Sequence, residues 1–177
     1  MGSRAVVLTC LVVLTLAAAH PAAAGPAVPI KGAFATYADF VVPPPANPPF
    51  ACPVSSGGQL LGWVRVQGTG KVSHLGVTTF DNLQCLWADA TGQHLYGEAD
   101  FVAANGDTLA VSYDGDVVPV DPTNIVFGGT MTFSGGTGRF AGATGKAPYG
   151  GGYSFATKRG YIDPLAGWIS SVGSSKR

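Results

Sequence analysis

Between His94 and Phe101 every second residue is polar or charged, with His94, Tyr96, Glu98 and Asp100 alternating against Leu95, Gly97, Ala99 and Phe101. Alternation of this kind places one set of side chains on each face of an extended strand, so it predicts β structure with one face buried. The same pattern recurs along the chain in about ten short stretches, residues 30–40, 60–67, 72–80, 83–88, 94–103, 108–118, 124–133, 139–144, 149–157 and 161–170. Clusters of Gly, Asn and Asp separate them. Gly68-Thr69-Gly70 reads as a hairpin turn between 60–67 and 72–80, and residues 89–93 as the next turn. Asn105-Gly106 is the clearest turn, because that pair readily supplies the two positive φ angles of a type I′ hairpin. No window keeps a helical period beyond a turn or two. The chain is therefore predicted to be all-β.

Glycine decides between a sandwich and a barrel. Gly128-Gly129 and Gly150-Gly151-Gly152 fall inside strand candidates, where glycine weakens a flat strand but lets one coil sharply. Closure also removes exposed strand edges. The expectation is a closed antiparallel barrel over residues 58–171, with residues 25–57 as an N-terminal strand and arm and 172–177 as a tail. Pro43, Pro44, Pro45, Pro48, Pro49 and Pro53 make the arm. Proline lacks the ladder donor, so this stretch is a connection or lid and not an interior strand. A proline-rich ligand for another domain is the alternative.

The N-terminus changes the charge and the compartment. Arg4 precedes an apolar run over residues 5–19, and Ala22-Ala23-Ala24 offers the small residues that a signal peptidase reads. Residues 1–24 are thus expected to be a cleaved signal peptide, directing the protein to a secreted or periplasmic location. The run is too short for a bilayer-spanning helix, and no later segment is long and apolar enough, so no integral membrane segment is expected after processing. Cleavage removes Arg4 and leaves nine basic against ten acidic residues. There is no basic stripe, which argues against nucleic acid as a partner. It also removes Cys10, leaving Cys52 and Cys85 as an even pair in an exported chain, for which a disulfide is the default.

One segment goes beyond pattern. Gly135-Gly136-Thr137-Gly138-Arg139-Phe140-Ala141-Gly142-Ala143-Thr144-Gly145, preceded by Gly129-Thr130-Met131-Thr132-Phe133, resembles the glycine-rich hairpin of the allene oxide cyclase and dirigent barrels. Residues 72–76 and 103–109 are similar to phrases in secreted bacterial proteins of that barrel-like group. The resemblance implies a barrel of about eight strands with an apolar interior, so that two of the ten candidates would belong to an arm or extension. Members of that family hold a reactive intermediate in the barrel and steer its ring closure or coupling. Their working residues lie outside the matched hairpin, and none is carried over to this chain.

No constellation matches a known catalytic pattern. A P-loop reading of Gly135–Gly145 fails, because Gly145-Lys146 is followed by Ala147 and Phe140 stands where a glycine is needed. No serine has the Gly-x-Ser-x-Gly frame. With only His74 and His94 in the mature chain, no zinc site is expected, and no cofactor is implied. His94, Glu98 and Asp100 share one strand face, and Asp114 and Asp116 share a face of the next strand. If those faces met inside, they would set carboxylates beside a histidine, as acid–base work requires; otherwise they form the solvated exterior. His74 reads as a hydrogen-bonded residue at a strand crossing or as a catalyst. Trp63, Trp87 and Trp168 line a cavity or fill the core. The favoured expectation is a non-catalytic exported barrel that holds a small apolar ligand or rests on an envelope partner. A cyclase- or dirigent-like enzyme is the alternative, and the sequence leaves the oligomeric state open.

Overall fold

A computed structural model describes residues 26–170, so the expected signal segment 1–24 and tail 172–177 lie outside the described residues. Eight antiparallel strands run in sequence around a closed barrel. They are β1 (Ala27–Phe40), β2 (Gln59–Val72), β3 (Gly76–Asp89), β4 (Gly92–Ala103), β5 (Thr108–Pro119), β6 (Asn124–Gly136), β7 (Thr144–Ser154) and β8 (Arg159–Ser170). Each strand pairs with its chain neighbours, and β8 closes the ring by pairing with β1 from Ala27↔Ser170 to Tyr37↔Arg159. Closure satisfies both edges of every strand, which is what an isolated sheet of this length could not do. The expected closed all-β barrel is what forms. It begins at Ala27, not at Gly58, because β1 is a wall strand between β2 and β8.

The ten expected strands resolve into eight for two physical reasons. Gly68-Thr69-Gly70 is not a turn: β2 runs straight through it, and the chain reverses over Ser73, His74 and Leu75. The Phe80 ring occupies the space where a side chain on Gly68 would stand, and the Ala33 carbonyl, with the Phe34 ring beside it, occupies that space at Gly70. Those glycines therefore serve close packing and not chain reversal. As a result, residues 72–80 and 83–88 belong largely to one long β3. Residues 139–143 form no strand either; a single 3-10 turn, Gly138–Phe140, sits there, and β7 begins only at Thr144. The Asn105-Gly106 reversal does occur, with φ +86° at Gly106 alone. The Asn105 side-chain oxygen accepts a hydrogen bond from the Asp107 N–H at 3.2 Å, so an Asx-type turn replaces the expected type I′ pair.

Inward residues alternate along every strand and form the main core. Phe34, Phe80 and Phe101 meet at ring centroid distances of 5.0 to 5.5 Å across the interior, in edge-on and tilted contacts that suit aromatic quadrupoles. Below them Ile30, Val72, Leu75, Leu109, Phe133 and Ile169 fill the barrel. Phe140, fully buried, plugs that end from the β6–β7 connection.

A second apolar cluster lies outside the wall. Trp63, Cys85 and Trp87 point outward, yet they are buried beneath the arm by Val41, Phe50, Cys52 and Val54. Phe50 packs on Trp63 at 5.2 Å and on Tyr96 at 5.1 Å. The expected Cys52–Cys85 disulfide is present and ties this arm to β3. Covering both faces explains the near-continuous apolar run from Leu83 to Trp87, which strict alternation would not give. No helix among the described residues is long and apolar enough to cross a membrane.

Candidate functional site

The barrel is plugged at one end and open at the other. At the open end, where β1 leaves at Phe40 and β6 enters at Ile125, the interior keeps a cavity of about 70 Å³. Phe80 and Phe101 form its floor against Phe34, and Val66, Leu95, Val117, Phe127, Met131 and Ile162 form its walls. Tyr153 and Phe155 stand at the mouth on β7 and just beyond it. The sequence builds this shape by setting small residues against large ones. Tyr113 lies over Gly97, and Phe127 lies over Gly151.

Few polar groups reach the cavity, namely Thr36, Gln84 and the phenols of Tyr113, Tyr149 and Tyr153, and the three phenols are hydrogen-bonded. The Tyr113 hydroxyl accepts from Asn82 Nδ2 at 2.7 Å and donates to Gln84 Oε1 at 3.1 Å. Tyr153 donates to the Ala38 carbonyl at 2.8 Å. Burial pushes the phenols of Tyr113 and Tyr149 well above the ordinary tyrosine value, so both stay protonated at physiological pH. No carboxylate, histidine, lysine, arginine or cysteine lines the cavity. Its surface is apolar, with neutral hydroxyl and amide groups as its polar contacts.

The polar residues singled out in the sequence lie elsewhere. His94 is on the outer wall: its Nδ1 is 2.8 Å from Asp116 Oδ1 and its Nε2 is 3.2 Å from Asp89 Oδ1. Its ring packs against Trp87 at 5.3 Å. The Asp116 bond, then Asp89, raise its pKa above the ordinary histidine value against some desolvation. Asp89 is held far below the usual carboxylate range, first by the Ser55 hydroxyl and then by Thr91. Glu98 accepts a hydrogen bond from the Tyr96 hydroxyl at 2.7 Å, while Asp100 is exposed. Burial, followed by Glu98, pushes the Tyr96 phenol up to about 12. The histidine and carboxylates do meet across β4 and β5, with His94 opposite Asp116, but on the exterior. His74 is at the plugged end, in the β2–β3 turn with φ +69°, and its Nε2 lies 2.9 Å from the Pro29 carbonyl oxygen. The two histidines therefore share no site.

None of the three tryptophans lines the cavity. Trp63 and Trp87 are buried under the arm, and Trp168 is 47% exposed on the outer face of β8. The glycine-rich hairpin is a structural plug. Gly135, Gly136, Gly138 and Gly142 take positive φ, and the Thr137 side-chain oxygen accepts from the Thr108 N–H at 2.9 Å. Gly145 lies against β8, where the Trp168 carbonyl leaves no room for a side chain. Among the described residues no group of three or more His, Cys, Asp or Glu side chains could hold a metal ion. What sequence reasoning missed is the inward polar set Asn82, Gln84, Tyr113 and Tyr149. The available signal was parity: Asn82 and Gln84 occupy the same face of β3 as Thr78 and Phe80. Comparison with protein-family models, with curated proteins and with solved structures found no match.

Proposed function

We propose that this protein is an exported, non-catalytic binding barrel that holds a slender apolar molecule in the open half of its lumen. The observation that carries this reading is the one-ended cavity of about 70 Å³, apolar in its walls and free of ionisable catalytic groups other than high-pKa phenols. An apolar cavity of about 150 Å³ already accepts a benzene-sized guest while staying dry. The smaller volume here suits the end of an acyl chain or a comparable slim group, entering past Tyr153 and Phe155. The disulfide supports export to an oxidising compartment. The resemblance of Gly135–Gly145 to barrels that enclose a small molecule supports a lumen occupant.

Native mass spectrometry of the protein purified from its own source tests the proposal. The expected result is one retained apolar molecule per chain, and rebinding of n-decanol after its extraction. A bare chain that takes up no alcohol would overturn it.

A further inference from the structure

The cavity wall carries an amide donor that the protein leaves unspent. Asn82 Nδ2 donates to the Leu83 carbonyl at 2.9 Å and to the Tyr113 hydroxyl at 2.7 Å. A carbonyl only accepts, so the contact with Leu83 fixes which end of the Asn82 amide is nitrogen. The Tyr113 oxygen therefore receives a proton from Asn82 and sends its own to Gln84 Oε1 at 3.1 Å. This relay runs in one direction and ends on Gln84. The Gln84 oxygen is turned to Tyr113, and its Nε2 has no partner among the described residues.

Gln84 lines the cavity on β3, between the floor residue Phe80 and Leu86 nearer the mouth. The rest of the lining narrows what could meet its amide. Thr36, on β1, carries a hydroxyl that both donates and accepts, so it does not discriminate. Lys, Arg and His are missing from the lining, so a carboxylate entering there would lose its water without gaining a counter-charge. An alkane would displace water from the Gln84 N–H groups and leave them unpaired, which costs binding. A neutral carbonyl oxygen accepts hydrogen bonds and brings no proton that needs an acceptor of its own.

We propose that the lumen selects a neutral carbonyl compound, a ketone or ester with an apolar tail, whose oxygen accepts from Gln84 Nε2 while the tail lies on Phe80 and Phe101. This rests on the lumen being a binding site and adds which functional group the occupant carries. Gln84 is then the residue that sets specificity, and Tyr113 and Asn82 position it.

NMR titration of the full, disulfide-bonded chain, labelled with nitrogen-15 and with carbon-13 at its methionine methyl groups, separates the two claims. The probes are 2-hexanone and 1-chlorohexane, equal in heavy-atom count, the second a poor hydrogen-bond acceptor. The Met131 methyl, in the cavity wall, reports entry, and the Gln84 side-chain amide reports the hydrogen bond. The expected result is a saturable Met131 shift with both probes and a downfield shift of the Gln84 amide protons with 2-hexanone alone. Gln84→Leu should weaken 2-hexanone about tenfold and leave 1-chlorohexane as tight or tighter. The amide shift is read on the wild-type chain, so it decides the question even where the variant does not fold. Entry of both probes with a Gln84 amide that answers to neither, or to both alike, would overturn this inference and leave the lumen reading standing. Equal weakening of both probes by Gln84→Leu would do the same. A Met131 methyl that responds to neither probe would overturn both.

Discussion

His94 draws together three parts of the molecule that are distant in sequence: the β3–β4 turn through Asp89, β5 through Asp116, and the arm through the Ser55 hydroxyl on Asp89. Its raised pKa makes this cluster pH-sensitive in a definite direction. A histidine whose folded pKa exceeds its unfolded value stabilises most when fully charged, below about pH 6.5, and loses that contribution as pH rises through the folded value. His94→Gln is therefore expected to lower the melting temperature more at about pH 5.5 than at about pH 8.5. Thermal melts at the two pH values check this, and an equal gap at both would contradict it. Phe140 belongs to the same scale. It fills the plugged end with no exposed surface, so Phe140→Ala should destabilise by about 3–5 kcal/mol in denaturant unfolding. Gly97→Ala drives a methyl group into the Tyr113 ring, and the expected loss is about 1–3 kcal/mol.

At the scale of elements, the arm is held to the barrel by one covalent link and one apolar cluster. Cys52 and Cys85 are 33 residues apart, and by loop entropy such a closure contributes about 3–4 kcal/mol. Replacing both by alanine should lose about that much and expose Trp63 and Trp87. Acrylamide quenching of tryptophan fluorescence should rise while the far-ultraviolet circular dichroism of the barrel persists. The elements also show where sequence reading succeeds and where it slips. The alternation over residues 94–103 gives β4 to within two residues at its start and to the residue at its end, because one face is core and the other is solvent. Alternation fails over Leu83 to Trp87, because the arm buries the outer face as well. Gly68 and Gly70 look like a turn from the chain alone; only the Phe80 ring over the first and the Ala33 carbonyl and Phe34 ring over the second show that they are packing positions. The true reversal holds His74 at positive φ, a residue that carries no strong turn signal.

For the whole molecule, an all-β chain that closes on itself is legible from turn spacing and interior glycine, whereas the strand number, ten by that reading against eight in the barrel, and the cavity are not. Its lining comes from all eight strands, and the identity of each inward residue depends on register around the ring. Parity alone could place His94, Glu98 and Asp100 together on a face, but it could not say that the face was the exterior. Closure settles that, since Leu95, Phe101 and Val117 then meet the apolar interior and the charges meet water. The result is a barrel filled at one end and hollow at the other, which is the basis for reading it as a binding protein.

Met131 projects into that hollow and is one of two methionines in the chain. The most direct measurement is a carbon-13 methyl spectrum of methionine-labelled protein during titration with n-octanol. A saturable shift of the Met131 methyl resonance is the predicted result. A resonance that stays fixed up to the solubility limit of the alcohol would show that nothing apolar enters the lumen, and would contradict the account.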